Sequence, residues 1–77
     1  MRYFRDVDSG NIVRKKEDKF QLEYIQKNYL IWQETTADSS YEREFYLGEG
    51  NTCLFDITHE EAQKILNSWG YKEDIEQ

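Results

Sequence analysis

Thr58-His59-Glu60-Glu61-Ala62-Gln63-Lys64-Ile65-Leu66-Asn67-Ser68-Trp69-Gly70 reads as a helix with both ends marked. Thr58 and Glu61 have the spacing of a capping box, in which the threonine hydroxyl and the glutamate side chain each satisfy a backbone N–H of the first turn. Ala62, Ile65, Leu66 and Trp69 stand at i, i+3, i+4 and i+7, so they share one apolar face. Glu60 and Lys64 form an i,i+4 pair in the favourable order. Gly70 stands where a left-handed residue closes a helix. A helix over 58–69 is therefore the element from which the rest of the fold is read.

Immediately before it, Thr52–Ile57 places Cys53, Phe55 and Ile57 on alternate positions, the period of a strand. Tyr41–Leu47 does the same with Arg43, Phe45 and Leu47. Gly48-Glu49-Gly50-Asn51 between them suggests a hairpin. At the other end, Arg2–Val7 and Ile12–Val13 are rich in aromatic and β-branched residues, and Asp8-Ser9-Gly10-Asn11 joins them as a turn. In the middle, Phe20, Leu22 and Tyr24 alternate with Gln21 and Glu23. The stretch 17–28 also tolerates a helix, but its apolar residues scatter around a helical wheel, so a strand is expected. Tyr29-Leu30-Ile31-Trp32 is an apolar run suited to a central strand, and Thr35 to Ser40 is polar and loop-like. With no proline, glycine-serine tract or repeat to divide it, the chain reads as a single domain over 1–77. The expected class is α+β: a small antiparallel sheet of four to six strands built from hairpins, packed on one face by the C-terminal helix.

A chain of 77 residues buries only roughly 60% of its unfolded surface, which leaves little room for an enclosed substrate pocket. Charged residues make up 34% of the chain, yet twelve aromatics supply the burying side chains that disordered segments lack. No run of apolar residues is long enough to cross a membrane as a helix. Met1 to Asp8 lacks the apolar stretch of a signal peptide, and the single cysteine excludes an internal disulfide. These features lead to the expectation of a cytoplasmic protein.

The net charge of −6 is uneven: residues 1–28 sum to +2 and residues 29–77, with eleven acids against three bases, to −8. An acidic chain of this kind is a poor general binder of nucleic acid. The best basic candidates for that role are Arg14, Lys15, Lys16 and Lys19, close to Tyr3 and Phe4, since cations interleaved with aromatics suit single strands. They form the alternative reading, as does a homodimeric structural protein that pairs exposed aromatic faces or edge strands.

Catalytic and metal-binding roles find no motif. His59 is explained by its place in the first helical turn, and Cys53 by its phase with Phe55 and Ile57, which makes it a buried thiol. Asp56, Glu60 and Glu61 suit a helix N-terminus, where negative charge opposes the dipole. Gly48 and Gly50 lack the lysine and following helix of a phosphate loop. No catalytic residue, metal or cofactor is expected. The leading expectation is a non-catalytic protein-binding module of the phage or mobile-element type. It would act as an inhibitor or regulator of a larger, nucleic-acid-processing partner with a basic surface. Its contact residues would be Glu42, Glu44 and Tyr46, sharing one strand face, together with Tyr29. The state in solution would be a monomer or a homodimer.

Overall fold

The computed structural model describes residues 1–36, 38–48 and 54–77. The fold is α+β, as the sequence pattern indicates. Strands β1 (Arg2–Asp6), β2 (Ile12–Lys15), β3 (Leu22–Gln26) and β4 (Tyr29–Glu34) form an antiparallel meander. A fifth strand, β5 (Leu54–Ile57), returns to pair antiparallel with β1, giving the order β4-β3-β2-β1-β5. The stretch 17–28 thus contributes a strand, β3, and not a helix.

The 41–47 stretch departs from expectation. It is not a strand of a second hairpin. Ser40–Glu42 forms a short helix, α1, which continues as a π-helical segment over Arg43–Leu47. The Ser39 hydroxyl caps its start, accepting from the Glu42 N–H, and Gly48 closes it in the left-handed region at φ 68°. The expected loop residues 49–51, and Cys53, lie outside the described residues.

The C-terminal helix, α2, spans His59–Ser68 and has the reciprocal capping box its sequence encodes. The Glu61 N–H donates to Thr58 Oγ1 at 3.0 Å, and the Thr58 N–H donates to Glu61 Oε1 at 2.9 Å. Gly70 follows with φ 95°.

The two helical segments cover opposite faces of the sheet, so the expected one-sided packing is corrected to two-sided packing. Tyr3, Ile12 and Ile25 pack with Ala62 and Leu66 of α2 and with Ile75. Phe4, Val13 and Leu22 pack with Tyr41, and Phe45 and Leu54 lie against them. Consecutive residues in β1 (Tyr3, Phe4) and β2 (Ile12, Val13) are buried, which marks strands covered on both sides. The tail after α2 completes the first core. Ile75 is buried, its N–H donates to Gln63 Oε1 at 2.8 Å, and the Tyr3 hydroxyl donates to the Glu76 carbonyl at 2.5 Å.

Asp6 organises the β1–β2 turn. Its carboxylate accepts from the Asp8 N–H at 3.0 Å, the Ser9 hydroxyl at 2.7 Å and the Tyr41 hydroxyl at 2.7 Å. Burial alone would raise its pKa. The hydrogen bonds from Ser9, Tyr41 and the backbone of Asp8 and Ser9 outweigh that and hold it below the usual aspartate value. Tyr41 is shifted the other way: burial, then its bond to Asp6, raises its hydroxyl above the ordinary tyrosine value.

Candidate functional site

The four basic candidates are largely engaged within the fold. The β2–β3 register sets Arg14 opposite Glu23, and Arg14 Nε lies 2.6 Å from Glu23 Oε1, both side chains being mostly buried. The Arg14 guanidinium also stacks 3.9 Å from the Trp32 ring centroid. A cation held by a carboxylate on one side and an indole on the other has little left to offer a phosphate. Lys16 Nζ lies 3.8 Å from the same Glu23 oxygen, and Lys19 Nζ 3.8 Å from Glu34. Lys15 donates to the Lys16 carbonyl.

The acidic candidates separate. A strand would set Glu42, Glu44 and Tyr46 on one face, but the helical turn keeps only Glu42 and Tyr46 on one side and rotates Glu44 away. Glu42 is buried, at 2% exposure, and turns its carboxylate into the fold. Its Oε2 accepts the Leu22 N–H at 2.8 Å and the Thr35 hydroxyl, and its Oε1 accepts the Ser39 hydroxyl. It ties the start of β3, the end of β4 and the cap of α1 together. Glu44 lines a shallow groove with Arg2, Phe4, Phe45 and Leu54.

Tyr46 and Tyr29 are exposed, as the pattern implied, at 40% and 50%. Tyr46 stacks on Phe20, with ring centroids 4.4 Å apart and planes 3° from parallel, and its hydroxyl donates to the Phe20 carbonyl at 2.6 Å. Loss of hydration, then the Glu42 charge, raises the Tyr46 hydroxyl above the usual value. Phe20 and Leu47 remain 58% and 66% exposed. Together with Glu42, Arg43 and Tyr46 they line an open cleft of about 260 Å³. The helical spacing of 42, 43, 46 and 47 is what brings these side chains to one side. Sequence reading missed Phe20 and Leu47, because each is in phase with a core residue if its segment is a strand. The one carboxylate in the lining of the cleft, Glu42, is taken up by Leu22, Thr35 and Ser39. The cleft can accept an apolar or cationic side chain between an aromatic wall and a leucine.

His59, the only histidine, has its Nε2 2.8 Å from the Ile75 carbonyl and its ring edge-on to Tyr3. Its role is to tie the tail to α2. Among the described residues no group of three or more His, Cys, Asp and Glu side chains could hold a metal ion, and no helix is long and apolar enough to cross a membrane. No family model, curated protein or solved structure matches the chain.

Proposed function

We propose that the protein is a non-catalytic binding module, a regulator or inhibitor that engages a basic surface of a larger protein through Phe20, Tyr46 and Leu47. The observation that carries this reading is the stacked Phe20–Tyr46 pair left open to solvent. Rings already fixed by stacking and by a hydrogen bond bury area on binding with little further loss of entropy, which is why tyrosine recurs at the centres of interfaces. The acidic balance of residues 29–77 supports a basic partner, because complementary charge speeds encounter and rejects acidic surfaces. Glu42 takes no part in that field as a contact residue. The exposed acids of that half, Glu34 and Asp38 among them, do.

The test begins with immobilised protein and a nuclease-treated lysate of the source cells, with bound proteins identified by mass spectrometry. The captured partner is then measured by surface plasmon resonance at two salt concentrations. Tyr46→Ala is expected to speed dissociation about ten-fold, equivalent to about 1.4 kcal/mol. Lys15→Ala with Lys16→Ala should leave the kinetics unchanged. Capture that disappears with nuclease, or a partner indifferent to Tyr46→Ala and Leu47→Ala, would refute the reading.

A further inference from the structure

We propose that β4 is a self-pairing edge: two copies of the chain join antiparallel, β4 to β4, with Ile31 at the two-fold axis. Their five-stranded sheets then run on as one. The proposal is independent of the Phe20–Tyr46 cleft and involves different residues.

The sheet has two edges, and they differ in kind. β5 is four residues long and carries Asp56, which is exposed and paired with Arg2 at 3.0 Å. A short edge with a charge on it resists strand addition. β4 runs six residues, Tyr-Leu-Ile-Trp-Gln-Glu, with no proline and no charge before Glu34. No side chain along it blocks another strand, and its irregularity is a register shift against β3 between the Tyr24–Gln33 and Gln26–Tyr29 pairs, where Leu30, Ile31 and Trp32 stand opposite Ile25 alone.

Its side chains divide by face. Leu30 and Trp32 pack against the α2 core. Gln33 takes the other face, since its side chain accepts from the Tyr24 hydroxyl at 2.8 Å and Tyr24 packs in the second core. The register shift is of two residues, so alternation is kept across it and sets Tyr29 and Ile31 beside Gln33. Both are left open, at 50% and 58% exposure.

The geometry of a two-fold pair matches this pattern. The Thr35 N–H donates to the Leu22 carbonyl at 3.0 Å, so Thr35 and Gln33 turn their backbone groups towards β3. Glu34 and Trp32 then turn theirs to the open edge. Centring the pair on Ile31 sets Trp32 opposite Leu30 of the second copy as a hydrogen-bonded pair. Ile31 meets its own copy at the closer, non-hydrogen-bonded spacing, and Tyr29 lies opposite Gln33. Every pair shares a face, so both copies keep α2 on the same side. No like charges meet. The Lys27–Asn28 turn of each copy comes beside Glu34 of the other, which sets opposite charges together at both ends of the seam.

A seam this short buries less than about 1,200 Å² in total, the class of weak, exchanging interfaces. The dimer is therefore concentration-dependent. Sedimentation equilibrium from about 5 µM to about 500 µM, a range that brackets micromolar association, reads it directly. The wild-type mass should rise from 9.4 kDa towards twice that value. Ile31→Lys, which sets two cations at the axis on an exposed position, should lose the rise while its circular dichroism stays native. Leu47→Ala should keep the rise. A second readout fixes the register: with Cys53→Ser, Ile31→Cys should form an intermolecular disulfide under mild oxidation, and Leu47→Cys should not. A wild-type mass of 9.4 kDa throughout would overturn the proposal. So would doubling that survives Ile31→Lys, or a β4 that stays monomeric alone and is filled by a strand of another protein.

Discussion

Replacing Glu42 with alanine should remove a large part of the protein's stability, although the residue is a glutamate in an acidic chain. The carboxylate accepts a backbone N–H from Leu22, which is fully buried, and hydroxyls from Thr35 and Ser39. Alanine orphans the buried Leu22 N–H, at a cost of about 1–3 kcal/mol, and removes two further bonds of about 0.5–1.5 kcal/mol each. The expected loss is about 3–5 kcal/mol, against a total of about 4–12 kcal/mol for a chain of this length. Glu42→Gln keeps an oxygen for the Leu22 N–H and an amide for the Ser39 oxygen, so about 1–2 kcal/mol is expected. Glu44→Ala, two residues on and only partly covered, should stay within about 0.5 kcal/mol. Urea denaturation with m-values compared across the three variants measures the differences. Hydrogen exchange at the Leu22 amide locates them, since that proton should lose protection first in Glu42→Ala. A loss below about 1 kcal/mol in Glu42→Ala, no greater than in Glu44→Ala, would mean that the buried carboxylate does not hold β3, β4 and α1 together.

Two further outcomes follow from the core and its polar clamps. Leu66→Ala in α2 should cost about 2–5 kcal/mol and Thr58→Ala about 1 kcal/mol in chemical denaturation; a Leu66→Ala variant as stable as wild type would exclude that face from the core. The Asp6–Tyr41 clamp should narrow the stable pH range at both ends. Asp6 has a depressed pKa in the fold, so its contribution is complete above the unfolded value of about 3.9 and is lost as pH falls through the folded value. Tyr41 has a raised one, so its contribution is complete below about 10 and is lost as pH rises through the folded value. Asp6→Asn should flatten the acid limb of the urea midpoint against pH, and an unchanged limb would remove Asp6 from the account.

The contrast between α2 and the 40–47 segment shows which parts of this fold can be read from the sequence. In α2 the cap, the apolar stripe and the terminal glycine are all local, and ten residues carry them past the ambiguity of a short window. The 40–47 segment has the same kinds of signal: Ser39 three residues before Glu42, Tyr41 and Phe45 at i and i+4, and Gly48 after Leu47. Over so few residues, Arg43, Phe45 and Leu47 also satisfy the period of a strand. The choice is made elsewhere, by the Leu22 N–H and the Thr35 hydroxyl that receive Glu42, both outside the segment and the first twenty residues away. The candidate site shows the same division. Tyr29 and Tyr46 are legible because each breaks the inward phase of its neighbours. Phe20 and Leu47 are not, because each keeps that phase. Arg14 reads as one cation of a basic run until the register sets Glu23 opposite it.

The exposed apolar residues of β4 follow from the dimensions of the covering layer. Five strands spaced about 4.8 Å apart span about 19 Å, while eight helical residues at about 1.5 Å each reach about 12 Å. A segment as short as Ser40–Leu47 packs over β1, β2, β3 and Leu54 of β5 but does not cover Tyr29 and Ile31 of β4 as well. Its anchor on Leu22 and Thr35 fixes which strands it covers, and its end at Gly48 fixes where its shielding stops. Tyr29 and Ile31 lie beyond its reach on the outer strand, and Tyr46 and Leu47 stand on its last turn. The exposed side chains of β4 therefore follow from the length of helix between Ser39 and Gly48, and those of Tyr46 and Leu47 from the turn on which that helix ends.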